Sequence, residues 1–362
     1  MRALSAAWRL AAGAFFALTL AALGGCTIMA PERPTQVTLP GQPFTPIDPY
    51  AQVAEMKGGV NVWVDELRPD EPPHAPFVPS RHFKIIRDGG FSTVRLVLAT
   101  FDHMDGSLKL DAQYLARIDE FVTAALDAGL TVIVDEHDYG LCGMDLILCR
   151  AKLNAFWSQV APRYRDMPNR LIFEMLNEPH QALTAEAWNK QLVETLAVIR
   201  ASNPTRNVII GPGNWNGIEF LPKLVLPADD RHIIATFHYY HPMEFTHQGA
   251  VWVPQFDKLG VTWGTKADHA LLDRELDEVK AWSEANRRPM FLGEFGALET
   301  GALPDRLRYL DAVARAAETR GFSWAAWQLT GNFIVYDIDS DRWIEPVLHA
   351  LIPPGSPPKP AP

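Results

Sequence analysis

Two glutamates carry the strongest chemical signal in the chain. Glu178 sits in Asn177-Glu178-Pro179 and Glu294 in Phe291-Leu292-Gly293-Glu294-Phe295-Gly296, each directly after an apolar, strand-like run. The same pattern repeats elsewhere: Arg95 interrupts Thr93-Val94-Arg95-Leu96, His137 closes Val134-Asp135-Glu136-His137, His238 and Tyr240 follow 233–237, and Trp327 ends 323–327. Singly, each has a plain structural reading, Arg95 as a buried ion-pair partner and His137 as a satisfied core histidine. Together they set polar and aromatic groups at one end of a series of strands, where chance would scatter them over both. The two carboxylates lie 116 positions apart and can meet only if the chain closes on itself. A carboxylate pair across a cavity is the equipment for cleaving a glycosidic bond, one protonating the leaving oxygen while the other attacks the anomeric carbon. A metal site and a structural pair bridged by Arg95 are the alternatives. A metal would want more ligands of one hardness than His137 and two glutamates supply, so neither metal nor cofactor is expected.

The elements that must position these residues alternate. Short β-branched runs at 59–64, 93–98, 131–135, 171–176, 207–211, 233–237, 290–293 and 323–327 read as strands. Longer amphipathic stretches intervene, clearest at 111–128, 184–202, 268–286 and 304–320, with Asp111 and Thr184 as N-caps. Eight strands with helical connections predict a single α/β domain, a (β/α)8 barrel over 51–352, whose site lies at the C-terminal ends of the strands. A doubly wound sheet is the other arrangement, but no Gly-rich phosphate loop follows the first strand. The connection 239–266 is long, and such loops usually serve function. It holds Trp252, Trp263, His241 and His247-Gln248-Gly249, read as stacking platforms and hydroxyl contacts for further sugar units, with loop packing as the alternative.

The ends differ from the middle. Arg2 and Arg9 precede an apolar run, then Leu23-Gly24-Gly25-Cys26, so 1–26 reads as a signal peptide of lipoprotein type with Cys26 the lipidated residue; a plain secretion signal is the alternative. Residues 27–50 are Pro-rich and read as an extended linker, and 353–362 as a disordered Pro-rich tail. Loss of 1–26 removes two arginines and no acid, taking the net charge from −10 to −12. A mildly acidic chain lacks the basic footprint of a nucleic-acid partner. The expected location is the cell envelope, periplasmic or outer-membrane, with the membrane reached only through Cys26. Cys142 and Cys149 are then the remaining cysteines, and in an oxidising compartment they form a candidate local disulfide.

The run Leu171-Ile172-Phe173-Glu174-Met175-Leu176-Asn177-Glu178-Pro179-His180 resembles the signature of glycoside hydrolase family 5, the cellulase family of retaining barrel enzymes, and the other pieces fall in the family's order over roughly 51–350. The resemblance implies Glu178 as acid/base and Glu294 as nucleophile. It implies Asn177 on the sugar 2-hydroxyl, Arg95 and Tyr240 holding Glu294 ionised, His137 and His238 lining the subsite, and Trp327 as the floor under the cleaved sugar. Asp138 stands where many members carry a second histidine. The implied substrate is a β-linked glucan, cut in the endo mode at β-1,4 bonds by a monomer. Relatives that cleave mannan, β-1,3 or β-1,6 glucan or xyloglucan share the same catalytic groups. Glycosyl transfer by the same route, and a non-catalytic sugar-binding barrel of the envelope, are the competing readings.

Overall fold

The computed structural model describes residues 36–64 and 78–355. Eight parallel strands close into one barrel in chain order: β1 (Gly58–Trp63), β2 (Thr93–Leu98), β3 (Thr131–Glu136), β4 (Leu171–Glu174), β5 (Val208–Ile210), β6 (Ile233–Tyr239), β7 (Met290–Phe295) and β8 (Ser323–Ala326), with β1 pairing β8 to shut the ring. The helices around it are α1 (Pro49–Met56), α2 (His82–Asp88), α3 (Ala112–Asp127), α4 (Tyr139–Met144), α5 (Leu146–Arg163), α6 (Ala185–Arg200), the short turn α7 (Gly213–Asn216), α8 (Met243–Thr246), α9 (Lys266–Asn286), α10 (Leu303–Thr319) and α11 (Glu345–Leu351). The expected N-caps act as such: Asp111 accepts from the Gln113 and Tyr114 amides, and Thr184 from that of Ala187.

Alternation along the strands sorts the barrel interior into layers. At the N-terminal end Ile133, Ile172, Ile209, Ile234, Phe291 and Ala325 form a buried apolar plug, closed from below by Val53 and Met56 of α1. Above it the inward positions turn polar, with Asn61, Arg95, Asp135 and Glu174 all fully buried. The layer at the strand ends is the site.

Strand limits depart from expectation where the mouth begins. β4 ends at Glu174, because the chain leaves the sheet to turn Asn177 and Glu178 over the opening. β6 runs on to Tyr239, and its register with β7 slips at Phe237/His238, so that His238 faces Glu294 and Gly293 is passed over. The bulge re-aims both side chains into the mouth. A Cβ on Gly293 would lie 2.9 Å from both His238 Nε2 and Thr236 Oγ1, so glycine is what lets the strands close there.

The expected linker 27–50 is corrected over its described part. Val37 donates its amide to the Arg163 carbonyl (2.9 Å), Leu39 is buried, and Phe44 lies 4.5 Å from the Arg206 guanidinium, so this ribbon packs on the domain as an ordered strap. Proline density reflects extended backbone here, not a free spacer, since extended chain can lie against an apolar surface as readily as in water. Residues 1–26 with Cys26, and 356–362 of the expected tail, lie outside the described residues.

Candidate active site

Arg95 is the hub of the mouth. Its guanidinium, wholly buried, donates to Glu174 Oε2 (2.6 Å) and Oε1 (3.0 Å), Asn61 Oδ1 (2.9 Å), Glu294 Oε1 (2.9 Å) and Asn177 Oδ1 (2.8 Å), and pairs with Asp135 Oδ2 at 3.0 Å. One cation thus serves three carboxylates, a geometry that only the planar five-donor fork of arginine can meet. A buried charge of this kind stays charged because its partners are charged, and the guanidinium pKa is raised by Asp135, Glu174 and Glu294 against the cost of burial.

The two candidate carboxylates come together. Ligand-type atoms of Glu178, His238 and Glu294 all lie within 4.8 Å of one another. Their surroundings differ. Glu294 accepts from Arg95 on Oε1 and from the Tyr240 hydroxyl on Oε2 (2.9 Å), so both oxygens are taken by donors and the ionised form fits the cage. Burial nevertheless pushes this carboxyl above the ordinary range, with Glu178 adding to the effect and Arg95 opposing it. Arg95 works against that rise, in keeping with the role the resemblance implies for it in holding Glu294 ionised. Glu178 accepts from His238 Nδ1 on Oε1 (2.7 Å), and among the described residues no protein donor meets Oε2. Burial pushes its pKa up to about 8, Arg95 working against the shift and Glu174 with it.

The histidines are both fixed from behind. His137 Nδ1 meets Asp135 Oδ2 at 2.6 Å, and its Nε2 faces the Asn177 amide nitrogen at 3.3 Å. Because Asn177 Oδ1 accepts from Arg95, its nitrogen must be the end that reaches His137, so the imidazole proton there sits on Nδ1. Among the described residues the other Asn177 N–H meets no protein acceptor. Trp327 follows β8 with its ring nearly parallel to His137 (8°, centroids 5.6 Å apart), and Trp63 meets both edge-on.

Of the residues singled out from the sequence, Arg95, His137, Asn177, Glu178, His238, Tyr240, Glu294 and Trp327 share this one mouth. Trp252 stands half-exposed in the long loop. Trp263 does not line any rim: it is 3 % exposed and packs edge-on to Tyr309 in the outer core, so the platform expected there is corrected to a loop staple. Gln248 is spent likewise, bonding the Phe245 and Val261 carbonyls and the Gly260 and Val261 amides to hold the loop in shape. His241 pairs with Glu275 on α9 at 3.3 Å, away from the carboxylates. Cys142 and Cys149 are bonded, tying α4 to α5. Asp138, at the departing position, accepts the Phe101 amide (2.7 Å) and anchors the loop after β2.

Sequence reasoning missed Asp135 and Glu174, which hold Arg95, though charged residues at inward positions of an otherwise apolar strand were a visible cue. It also missed Trp215, half-exposed and stacked on His180 (centroids 4.6 Å, 18°), and Asn216, fully buried behind His238. Both sit in α7, where no pattern announces them.

Comparison with known proteins bears on this geometry. Residues 77–333 match the family model described as cellulase (glycosyl hydrolase family 5). Endoglucanase H of Acetivibrio thermocellus is 30% identical over 318 residues, 86% of this chain but 34% of that protein; Endoglucanase 3 of Fibrobacter succinogenes is 28% identical over 321 residues, 74% of this chain and 48% of its own. The chain thus spans about a third to a half of these curated relatives. Among solved structures, Thermotoga maritima Cel5A, determined with mannotriose and with cellobiose, is 37% identical with a TM-score of 0.81, covering 84% of this chain and 100% of its own. The cellulose synthase subunit Z of Clostridioides difficile is 34% identical with a TM-score of 0.78, covering 82% and 99%. With more than half its length inside the family model and Glu178 and Glu294 facing each other across the mouth of an eight-stranded barrel, this chain belongs to the cellulase family, glycosyl hydrolase family 5.

Proposed function

We propose that this protein is a retaining endo-β-1,4-glucanase that works by double displacement, with Glu294 as nucleophile and Glu178 as acid/base. The observation that carries the reading is the close, asymmetric carboxylate pair, with oxygens inside 4.8 Å. Retaining enzymes keep the two carboxyl groups about 5–5.5 Å apart, whereas inverting ones leave room for a water at roughly 6.5–9.5 Å. Glu294, caged by Arg95 and Tyr240, attacks the anomeric carbon as the C–O bond breaks. Glu178, protonated at neutral pH, gives its proton to the leaving oxygen. The glycosyl–Glu294 ester is then cleaved by a water whose proton returns to Glu178. The remaining Asn177 N–H supports the sugar 2-hydroxyl, Trp327 the ring face, and Trp252 a further unit.

A second reading, cleavage of β-mannan by the same groups, is favoured by the relative solved with mannotriose as well as cellobiose. The lipoprotein leader ending at Cys26, and with it residence in the cell envelope as a monomer, belongs to the same proposal on sequence grounds. Labelling with 2-fluoro cellobioside and 2-fluoro mannobioside, followed by peptide mapping, tests it. Label on Glu294 from the gluco reagent supports the glucanase, faster label from the manno reagent favours mannan, and label elsewhere or none overturns the assignment.

A further inference from the structure

His238 touches Glu178 through one nitrogen, and what lies behind the other nitrogen decides what the first can do. Nδ1 is 2.7 Å from Glu178 Oε1, and Nε2 is 3.3 Å from the amide nitrogen of Asn216. A neutral imidazole has one N–H, so an N–H donor behind Nε2 forces the ring proton onto Nδ1. The ring is neutral, since burial pushes its pKa down to about 4, more than Glu294 pushes it back. Asn216 is fully buried, and among the described residues its Oδ1 has no hydrogen-bond partner. A buried acceptor without a donor is a cost that calls for an explanation. The backbone carries a second cost: Asn214, Trp215 and Asn216 all have left-handed φ, at 57°, 56° and 54°. Three consecutive non-glycine residues hold this conformation only where the surroundings over-determine it. Gly211 leaves the space the amide occupies, since a Cβ there would collide with Asn216 Oδ1.

We propose that Asn216 is a positioning residue for the acid/base: its amide selects the tautomer in which His238 donates from Nδ1 to Glu178 Oε1, so that the acid proton resides on Oε2. Turned over, the amide would draw the ring proton to Nε2 and leave Nδ1 bare, and Glu178 would spend its proton on the histidine instead of the leaving oxygen. The inference rests on the acid role of Glu178 given above. The other charged and titratable groups around the pair are Arg95 of β2, Asp135 of β3 and His137 just after it, Glu174 of β4, Tyr240 just after β6 and Glu294 of β7, with His180 on the Glu178 carbonyl (2.8 Å).

Three measurements decide it. In the full-length protein labelled with 15N-histidine, with His238→Gln to assign the signal, His238 should show its proton on Nδ1 near neutral pH; a proton on Nε2 overturns the proposal without touching the role of Glu178. Asn216→Leu removes the donor and should lower kcat/KM on cellulose oligomers about tenfold, the worth of one fixed hydrogen bond, while a dinitrophenyl cellobioside, whose leaving group needs no acid, loses far less. Asn216→Asp, the isostere, puts an acceptor behind Nε2; it should be at least as damaging on oligomers as Leu and should move the alkaline limb of the pH profile downward, because an imidazolium beside Glu178 favours its ionised form. A purely structural role predicts the reverse order, Asp milder than Leu with the limb unmoved. Equal losses on both substrates in these variants would overturn the positioning role, whereas equal losses in Glu178→Ala would instead overturn the acid assignment.

Discussion

Removing the Tyr240 hydroxyl should move one limb of the pH–rate profile and leave the other in place. That hydroxyl donates to Glu294 Oε2 at 2.9 Å, and Arg95 holds the other oxygen, so Tyr240→Phe deletes one of the two hydrogen-bond donors that meet this buried carboxylate among the described residues. Hydrogen bonds to charged groups are worth about 1.5–3 kcal/mol, and one pKa unit corresponds to about 1.4 kcal/mol. Losing a bond that favours the ionised form raises the pKa of the nucleophile by about 1–2 units. In its proposed role Glu294 attacks only as the anion, so the acid limb of kcat/KM should move up by that amount. With burial pushing Glu178 up to about 8, its proposed role as the protonated acid keeps the alkaline limb near that value. The bell narrows from its acid side, and activity below the acid limb falls by up to about 10- to 100-fold, the size of the shift, while activity near pH 7.5 falls much less. The profile of kcat/KM on a soluble cellulose oligomer between pH 4 and 9.5 reads this directly. An acid limb that does not move, or an alkaline limb that moves in its place, would refute the assignment of roles to the two glutamates.

Other outcomes follow from the same geometry. Glu294→Ala should lower turnover by several orders of magnitude with the fold intact, and azide should restore it by forming the α-glycosyl azide, seen by NMR of the product. Glu178→Ala should cost far more on cellulose oligomers than on activated aryl cellobiosides in parallel kcat/KM measurements. Arg95→Met strips the cation from Asp135, Glu174 and Glu294; breaking a buried pair costs about 3–5 kcal/mol, read as a lower midpoint in urea. The loss should grow with pH. Burial raises the folded pKa of Asp135 to about 8, and a carboxyl raised above its unfolded value of about 4 keeps its full stability below pH 4 and loses it as pH climbs to 8; without Arg95 that slope steepens.

The barrel was legible because parallel strands buried on both faces must be apolar throughout, and a polar residue ending such a run stands out. Asn177, Glu178, His238 and Glu294 announced themselves in this way, and Arg95 by interrupting such a run. What lay behind them did not. Asp135 and Glu174 sit one and two strands away from Arg95 at inward positions, where lateral strand pairing joins the three side chains into one ion cluster, and closure of the barrel brings Glu294 of β7 to it. Asn216 carries no periodic signal, since its place depends on a run of left-handed residues that composition does not encode. Trp263 read as a platform because indole suits both a sugar face and a core, and the contact with Tyr309 that decides between them joins a loop to α10. Prolines at 40, 43, 46 and 49 suggested a tether, whereas rigid extended backbone here loses little entropy on lying down against the barrel.

The strap formed by residues 36–48 also sets where the protein can be shortened. Beneath it Arg206 gives all its N–H groups to the carbonyls of Tyr164, Arg165, Met167, Pro168 and Leu171 and to Asn203 Oδ1, with Phe173 against one side and Phe44 of the strap against another. Among the described residues no carboxylate forms an ion pair with it, so carbonyl dipoles meet its N–H groups, with Asp166 adding only a longer-range attraction. A version beginning at residue 50 would keep every catalytic group yet open that cation to solvent on the Phe44 side, admitting water to the base of the barrel beneath β4 and β5. Trimming from the N-terminus should therefore stop before Val37.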